Sequence, residues 1–303
     1  MLYKKLDMSN YTIAQVEALS GIKAHTLRKW ETRYNLFEPY RTDTNIRYYS
    51  DGQLKKLLNI SVLLRNGFKI SKIDKMSDED IYETIGHILI DPKQEDEIAS
   101  LIISMIEMDE IKFDKIIKSQ IINNGLLTTT TKIIYPFLNQ VGVLWGINKV
   151  IPAQEHFVSS LIKQKMYSSI DLLPQPHNDA PSILMFLPER EHHEMGLLLA
   201  YFIAKKIGWR VYYLGQDVPT ENIKLVVEEI HVNALLSMFV VSTKENFDSI
   251  VGELCSQIDV PFLISGNPEL LGNVHYDDLI YLKSPEELIN QLNLLEEKIK
   301  PLV

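Results

Sequence analysis

Two short groups of residues carry side chains that could bind a metal or a small ligand. In the first, His193 follows Glu191 by two residues, in a polar stretch after an apolar run. A loop there could project the imidazole toward a metal, and the carboxylate could orient it. In the second, Trp145 is followed by a nine-residue spacer and then by Glu155 and His156, which could line a ligand pocket. The alternatives are a solvated polar loop for the first group and a core tryptophan beside surface polar residues for the second.

The first group lies in residues 181–303, whose pattern predicts a doubly wound parallel α/β sheet. Continuous apolar runs are typical of buried parallel strands, and helical stretches alternate with them. The predicted strands are 183–187, 211–214, 234–241, 262–264 and 279–282, and the predicted helices are 194–206, 221–230, 246–257 and 285–299. Such sheets bind ligands at the carboxyl ends of their strands, which is where this loop is expected. Because no GxGxxG follows the first strand, a dinucleotide is not indicated.

The second group lies in residues 77–175, which predict a small bundle of four helices because apolar residues recur there at helical spacing. Breaks are expected near Asp109, at 123–125 and at 146–148. Pro152 suits the first turn of the last helix. Glu155 and His156 should therefore stand side by side at the start of that helix.

Residues 1–76 form a basic segment, with 14 Lys and Arg against 7 Asp and Glu, on a chain whose total formal charge is −9. This distribution favours a polyanion as partner, with a solvated charged surface as the alternative. Two sequences, Thr12 to Gln15 and Ser50 to Gln53, fit capping boxes that begin helices. Two short helices around Gly21, the second one basic, and a polar turn within 39–49 predict a winged helix-turn-helix.

The text TIAQVEALSGIKAHTLRKWETRYNLFEPYRTDTNIRYYSDGQLKKL, residues 12 to 57, resembles the MerR family of transcription regulators. The specific pieces are Thr26-Leu27-Arg28, Trp30-Glu31 and the wing Arg47-Tyr48-Tyr49-Ser50. The resemblance implies binding to double-stranded promoter DNA. The residues expected at this interface are Arg28, Lys29 and Arg33 on the second helix and Arg41, Arg47 and Tyr48 in the wing.

Several classes of protein are excluded by composition. The single cysteine, Cys255, allows neither an internal disulfide nor thiolate sensing of mercury or zinc. Gly67 and Asp91-Pro92 interrupt the chain after the basic segment, so the long dimerising coiled coil of the metal and drug sensors is not expected. No apolar run is long enough to span a bilayer, and the first residues lack the apolar core of a signal peptide. We therefore expect a cytoplasmic protein without membrane contact.

The last third resembles the cobalamin-binding domain shared by methionine synthase and corrinoid-binding regulators. Its Asp-x-His-x-x-Gly motif is matched by residues 191–196 with Glu for Asp, and its two later motifs by Ser237-Met238-Phe239 and Ser265-Gly266. The resemblance implies that His193 coordinates cobalt from below and that Glu191 and Gly196 belong to the cofactor site. It implies further that Ser237, Ser265 and Gly266 line a slot for the nucleotide tail. Phe239 and Ser265 are bulkier than usual, which predicts a narrower slot.

The combination of all three segments resembles the light-responsive repressors of the CarH/LitR group over essentially the whole chain. The resemblance implies that Trp145, Glu155 and His156 cap the upper face of adenosylcobalamin, and that a dimer or tetramer of this chain is the working repressor. Photosensors of the group can carry a histidine directly after that tryptophan, but this chain has Gly146. A photoproduct with two histidine ligands therefore cannot form through this position, and His156 is the alternative source of a second histidine ligand.

Two other functions remain open from the sequence. One is a MerR-type regulator whose C-terminal domain has lost cobalamin and senses another ligand or only oligomerises. The other is a corrinoid carrier for enzymatic methyl transfer, which is disfavoured because a carrier has no use for a basic wing and no catalytic partner domain is recognised. We therefore expect a regulator that is not an enzyme.

Overall fold

The computed structural model describes residues 11–34, 36–42, 45–88, 94–146, 150–240, 242, 244–267, 270, 276 and 278–299. The chain divides into two compact units, residues 1–162 (unit 1) and 163–303 (unit 2). Across the described residues, no helix has the length and apolarity needed to cross a membrane.

Unit 1 begins with a winged helix-turn-helix. Its elements are β1 (Tyr11–Thr12), α1 (Ile13–Ser20), α2 (Ala24–Arg33), β2 (Tyr40–Arg41), β3 (Arg47–Tyr49) and α3 (Asp51–Arg65). The three strands form an antiparallel sheet in the order β1-β3-β2. Both predicted capping boxes are confirmed, because Thr12 and Ser50 each exchange hydrogen bonds with a glutamine three residues later. Between α1 and α2, Gly21 takes the left-handed conformation (φ 73°) that ends a helix.

The core of this region is built from one side of each element. Leu27 and Trp30 are the buried residues of α2, and Tyr11 and Tyr49, which face each other across β1 and β3, are fully buried. Two short helices follow, α4 (Ile70–Ile73) and α5 (Asp78–Ile88). Within the described residues this part of the chain therefore holds short helices, as the glycine and proline pattern predicts.

The rest of unit 1 is helical. Its elements are α6 (Gln94–Glu107), α7 (Glu110–Thr129), a π-helical turn (Thr130–Ile134), α8 (Tyr135–Gly146) and α9 (Pro152–Asp171), whose last residues belong to unit 2. Asp109 caps α7 and Pro152 begins α9, as predicted. The break predicted at 123–125 is instead a kink at Gly125 (φ 76°), after which the helix resumes. Residues 147–149 lie outside the described part of the chain.

Helix α3 is joined to α6 by a buried ion pair. The side chain of Asp96 is inaccessible to solvent, and its carboxylate accepts hydrogen bonds from Arg65 Nε at 2.8 Å and from Asn66 Nδ2 at 2.7 Å. A buried carboxylate is tolerated when charged and neutral donors satisfy it in this way. The winged region and the helices after it are therefore packed into one unit.

Unit 2 is the predicted doubly wound sheet. Its elements are β4 (Ser182–Pro188), α10 (Glu194–Lys206), β5 (Arg210–Val218), α11 (Thr220–Ile230), β6 (Ala234–Phe239), α12 (Lys244–Gln257), β7 (Phe262–Gly266), β8 (Leu279–Tyr281) and α13 (Pro285–Ile299). All strand pairs are parallel, in the order β5-β4-β6-β7-β8. Residues of α11 and α12 pack on the face formed by Leu184, Phe186 and Phe239, whereas α10 contacts α13.

Candidate functional site

The predicted metal-binding loop lies at the carboxyl end of β4, an interior strand of the sheet. The strand ends at Pro188, and His193 is the N-cap residue of α10, which begins at Glu194. The side chain of Glu191 is fully buried, whereas that of His193 is 54% exposed. The loop therefore presents an imidazole to solvent above a carboxylate that solvent cannot reach.

Glu191 holds the imidazole in one orientation. Its Oε1 lies 2.6 Å from Nδ1 of His193 and also accepts the backbone N–H groups of His192 (3.1 Å) and His193 (3.2 Å). Its Oε2 accepts the N–H of Val240, just after β6, at 2.8 Å. Because a carboxylate is an acceptor, Nδ1 carries the proton and the lone pair lies on Nε2, the nitrogen free to bind a metal.

The backbone before His193 is constrained as well. Arg190 and Asp217 both take left-handed conformations (φ 66° and 58°), which are uncommon for residues other than glycine. The two are joined, because Asp217 Oδ1 accepts the N–H of Arg190 at 2.8 Å. The end of β5 thus fixes the start of the loop that carries His193.

Glu194 has a role that the sequence reasoning missed. It lies next to His193 but is 9% exposed, and its Oε1 accepts the hydroxyls of Tyr167 (2.7 Å) and Tyr213 (2.9 Å). Burial and these hydrogen bonds raise the pKa of Tyr167 to about 12 and raise that of Tyr213 as well. The network ties the end of α9 to α10 and β5 within unit 2.

The three residues predicted to line a nucleotide slot lie at the ends of the adjacent strands β6 and β7, but the side chain of Ser237 faces the other side of the sheet from that of Ser265. Phe239, on β6, packs edge-on against Phe247 of α12 with ring centroids 4.9 Å apart. Since strand residues alternate between faces, Ser237 points to the same side as Phe239, away from α10. The hydroxyl of Ser237 is buried and finds no hydrogen-bond partner in the described part of the chain. Met238 points the other way, toward Gly196 of α10.

Ser265 and Gly266 have structural reasons for their identity. The Ser265 hydroxyl donates to the backbone carbonyl of Leu282 at 2.9 Å. Gly266 has φ 132°, and a Cβ there would lie 2.0 Å from the carbonyl oxygen of Phe239. Only glycine therefore permits the close approach of the ends of β6 and β7.

The second predicted group lies in unit 1. Trp145 is in the last turn of α8, and Gly146 is that helix's last residue. In the first turn of α9, Glu155 Oε2 lies 2.9 Å from Nδ1 of His156, whose side chain is 77% exposed. Glu155 also accepts a hydrogen bond from Ser159, one turn later. The two polar residues are thus neighbours at a helix start, as predicted.

The predicted DNA contacts fall into two kinds. Arg28, Lys29 and Arg33 are exposed on α2, on the side opposite the buried Leu27 and Trp30. None of the three basic side chains forms an ion pair with another described residue. They are therefore available to phosphate groups and bases.

The wing arginines are instead held by a carboxylate of α2. Glu31 accepts hydrogen bonds from Arg41 Nη2 at 2.5 Å and from Arg47 Nε at 2.6 Å. Burial opposes ionisation of Glu31, but the arginines outweigh it and hold its pKa below the usual range. Tyr48 stacks on Tyr40, with ring centroids 5.4 Å apart.

Comparisons with known proteins match the winged helix-turn-helix and the helices α6 to α9 that follow it. Residues 11–80 match the family model described as MerR HTH family regulatory protein, and residues 97–168 match the one described as B12 binding domain. The chain therefore combines a MerR-type helix-turn-helix with a B12-binding domain, and this combination defines a DNA-binding transcription regulator.

It is homologous to two HTH-type transcriptional repressors of Myxococcus xanthus. It is 26% identical to CarA over 295 residues, which cover 91% of this chain and 94% of CarA. It is also 26% identical to CarH over 252 residues, covering 80% of this chain and 84% of CarH.

A solved structure shares the fold. The monomethylamine corrinoid protein of Methanosarcina barkeri superposes with a TM-score of 0.51 at 18% identity, covering 63% of this chain and 94% of that chain. The predicted doubly wound parallel α/β fold is thereby confirmed.

Proposed function

We propose that this protein is a cytoplasmic, cobalamin-dependent repressor whose oligomeric state and binding to promoter DNA are controlled by adenosylcobalamin and by light. The observation that carries the proposal is the contact between Glu191 and His193. It lies at the carboxyl end of the interior strand β4, in a chain whose other end is a winged helix-turn-helix. The chain thus combines a side-chain arrangement suited to holding a metal with a region suited to binding DNA. Neither feature gives a reason to assign catalysis.

The donor set at this loop fits the lower side of a corrinoid. His193 would coordinate cobalt through Nε2, because Nδ1 is held by Glu191. Glu191 would keep the imidazole in the required tautomer and raise its basicity. Asp217 would hold the loop through the N–H of Arg190.

Adenosylcobalamin would supply a cobalt–carbon bond that light cleaves. We propose that Trp145, Glu155 and His156 contribute to the binding of its upper ligand, as the resemblance implies. A ligand shifts assembly only through different affinities for two arrangements of the chain. Because Gly146 offers no second histidine, we expect light to loosen the assembly reversibly, with cobalamin exchange afterwards.

At the DNA end, we propose that Arg28, Lys29 and Arg33 enter the major groove and that Arg41, Arg47 and Tyr48 contact the backbone in the wing. Basic side chains displace counterions from phosphates, so binding should weaken steeply with salt. Winged regions of this kind bind paired half-sites, so we expect a dimer or tetramer on a near-palindromic duplex.

The decisive experiment begins with the full chain and adenosylcobalamin in the dark. Gel filtration should return a coloured protein fraction of larger size, which becomes smaller after green light. A duplex selected from a random library should bind the dark sample more tightly. Identical size and affinity in dark and light would contradict the light switch, and a colourless fraction would contradict cobalamin binding.

One observation favours a second candidate, a regulator that has lost cobalamin. The thioether of Met238 fills the space beside Gly196, where the resemblance implies a cofactor contact. A colourless protein fraction in the presence of cobalamin, together with unchanged selection of a specific duplex, would favour this candidate.

A further inference from the structure

The space between strand β6 and helix α10 is filled by one side chain. A Cβ built on Gly196 would lie 2.6 Å from Sδ and 3.5 Å from Cε of Met238. The thioether therefore rests directly on the glycine. Glycine in a helix costs about 1 kcal/mol relative to alanine. The contact with Met238 explains why a glycine nevertheless stands early in α10.

Met238 has a neighbour on the same face. It is paired with Ser265 on the adjacent strand β7, and paired residues of parallel strands point to the same side. The hydroxyl of Ser265 is already bonded to Leu282. The thioether of Met238 thus lies beside Gly196, on the same face as Ser265, and occupies what would otherwise be an opening between strand and helix.

We infer that Met238 is a specificity-determining residue that closes this opening, so that a corrinoid held by His193 keeps its nucleotide tail outside the protein. This inference rests on the proposed binding of cobalamin. It follows that the protein binds corrinoids with and without a nucleotide tail about equally well.

Two features make Met238, rather than the bulk of Phe239, the determinant. Phe239 packs against Phe247 on the other face of the sheet, so its size cannot narrow an opening beside α10. Ser237 points to that other face as well, so its hydroxyl cannot hold a group lodged beside Gly196. Met238 is partly exposed and has three rotatable bonds, so its removal opens the space without disturbing the buried core.

The test titrates the full chain with aquocobalamin and with aquocobinamide, which lacks the nucleotide tail, following the visible spectrum. For the wild type we expect cobinamide to bind at least as tightly as cobalamin, within about threefold. Met238→Ala should strengthen cobalamin binding by about tenfold and leave cobinamide binding unchanged. Met238→Leu, which conserves volume, should behave as the wild type.

The wild-type ratio of the two affinities keeps the test independent of the stability of Met238→Ala, and a second variant probes the same space from the helix. In Gly196→Ala the new Cβ would lie 2.6 Å from Sδ of Met238, so the thioether must shift but remains between strand and helix, and cobalamin should gain nothing. A wild type that prefers cobalamin by about tenfold or more, or an unchanged ratio in Met238→Ala, would overturn the inference. If neither corrinoid binds, the proposed function itself fails.

Discussion

Each unit contains a buried or half-buried carboxylate that binds side chains expected to contact a partner, which is DNA for unit 1 and cobalamin for unit 2. The two carboxylates bind these side chains in different ways. In unit 1, Glu31 binds the guanidinium groups of Arg41 and Arg47. In unit 2, Glu191 binds the imidazole of His193. Both carboxylates orient the side chains that they bind. Glu31 binds N–H groups that could also bind a phosphate, whereas Glu191 binds Nδ1 of the imidazole and leaves Nε2.

Glu31 occupies the donors that a phosphate would need. An arginine has several N–H groups, but a carboxylate and a phosphate compete for the same charge. Arg41 also donates through Nη1 to Asn45 at 2.9 Å. If these arginines contact DNA as proposed, the wing is ordered in the free protein at the expense of part of its attraction for DNA.

If His193 binds cobalt as proposed, Glu191 occupies the nitrogen that the metal does not need. Nδ1 is bonded to the carboxylate, and Nε2 keeps its lone pair. At His193 the nitrogen that fixes the orientation of the ring differs from the nitrogen that would bind the metal. In the wing, the same guanidinium groups that are held by Glu31 would have to bind the phosphates. The comparison predicts that loss of Glu191 weakens binding and that loss of Glu31 strengthens it.

The largest effect is expected for Glu191→Gln. The amide NH2 cannot accept, so either Val240 N–H or the donors at Oε1 lose their partner. This should destabilise unit 2 by about 1–3 kcal/mol and weaken cobalamin binding by about tenfold or more. Hydrogen exchange of the β4 and β6 amides and spectral titration measure the two effects.

The matched control is Glu189→Gln, which makes the same change at an exposed carboxylate of the same loop. It should alter neither stability nor the spectrum. Equal effects in the two variants would mean that loss of charge, and not loss of the acceptor, is responsible.

A smaller effect of opposite sign is expected for Glu31→Gln. Arg41 and Arg47 lose their counter-charge, so affinity for a random-sequence duplex should rise by about threefold to tenfold, with a steeper salt dependence. Fluorescence anisotropy at several salt concentrations measures both.

Glu38→Gln removes the same charge from an exposed side chain near the wing. It should raise affinity by a smaller factor. If Glu31→Gln bound DNA more weakly than the wild type, the carboxylate would be needed to shape the wing, and the competition between carboxylate and phosphate would be disproved.

Local patterns predicted much of the molecule. The five strands of unit 2 lie within a few residues of the predicted apolar runs, because buried parallel strands are continuous in sequence. The capping boxes at Thr12 and Ser50 are confirmed for a similar reason, since their partners are three residues away. The neighbours Glu191 and His193 come together as the two-residue spacing suggested.

Contacts between distant residues were not predictable in this way. Glu194 binds Tyr213 across 19 positions and Tyr167 across 27, and nothing in its neighbourhood signals either partner. The Ser237 motif matched by residue type, but side-chain alternation along β6 turns Met238 toward α10 instead. One position along a strand decides which side chain faces the neighbouring helix.

The smallest effect is a pH dependence of DNA binding that comes from Glu31. In the free protein, burial raises the pKa of this carboxyl, but Arg47 and Arg41 outweigh burial and hold it below the usual range. If phosphates draw the arginines away, the pKa is higher in the complex, so the complex takes up a proton that the free protein does not. Affinity for DNA should therefore rise modestly as pH falls from about 6 to about 4.5, toward the ordinary carboxyl pKa of about 4.3. Anisotropy titrations across this range should show the rise in the wild type and in Glu38→Gln, while Glu31→Gln lacks it. A wild-type pH dependence identical to that of Glu31→Gln would mean that the arginines stay on Glu31 when DNA is bound.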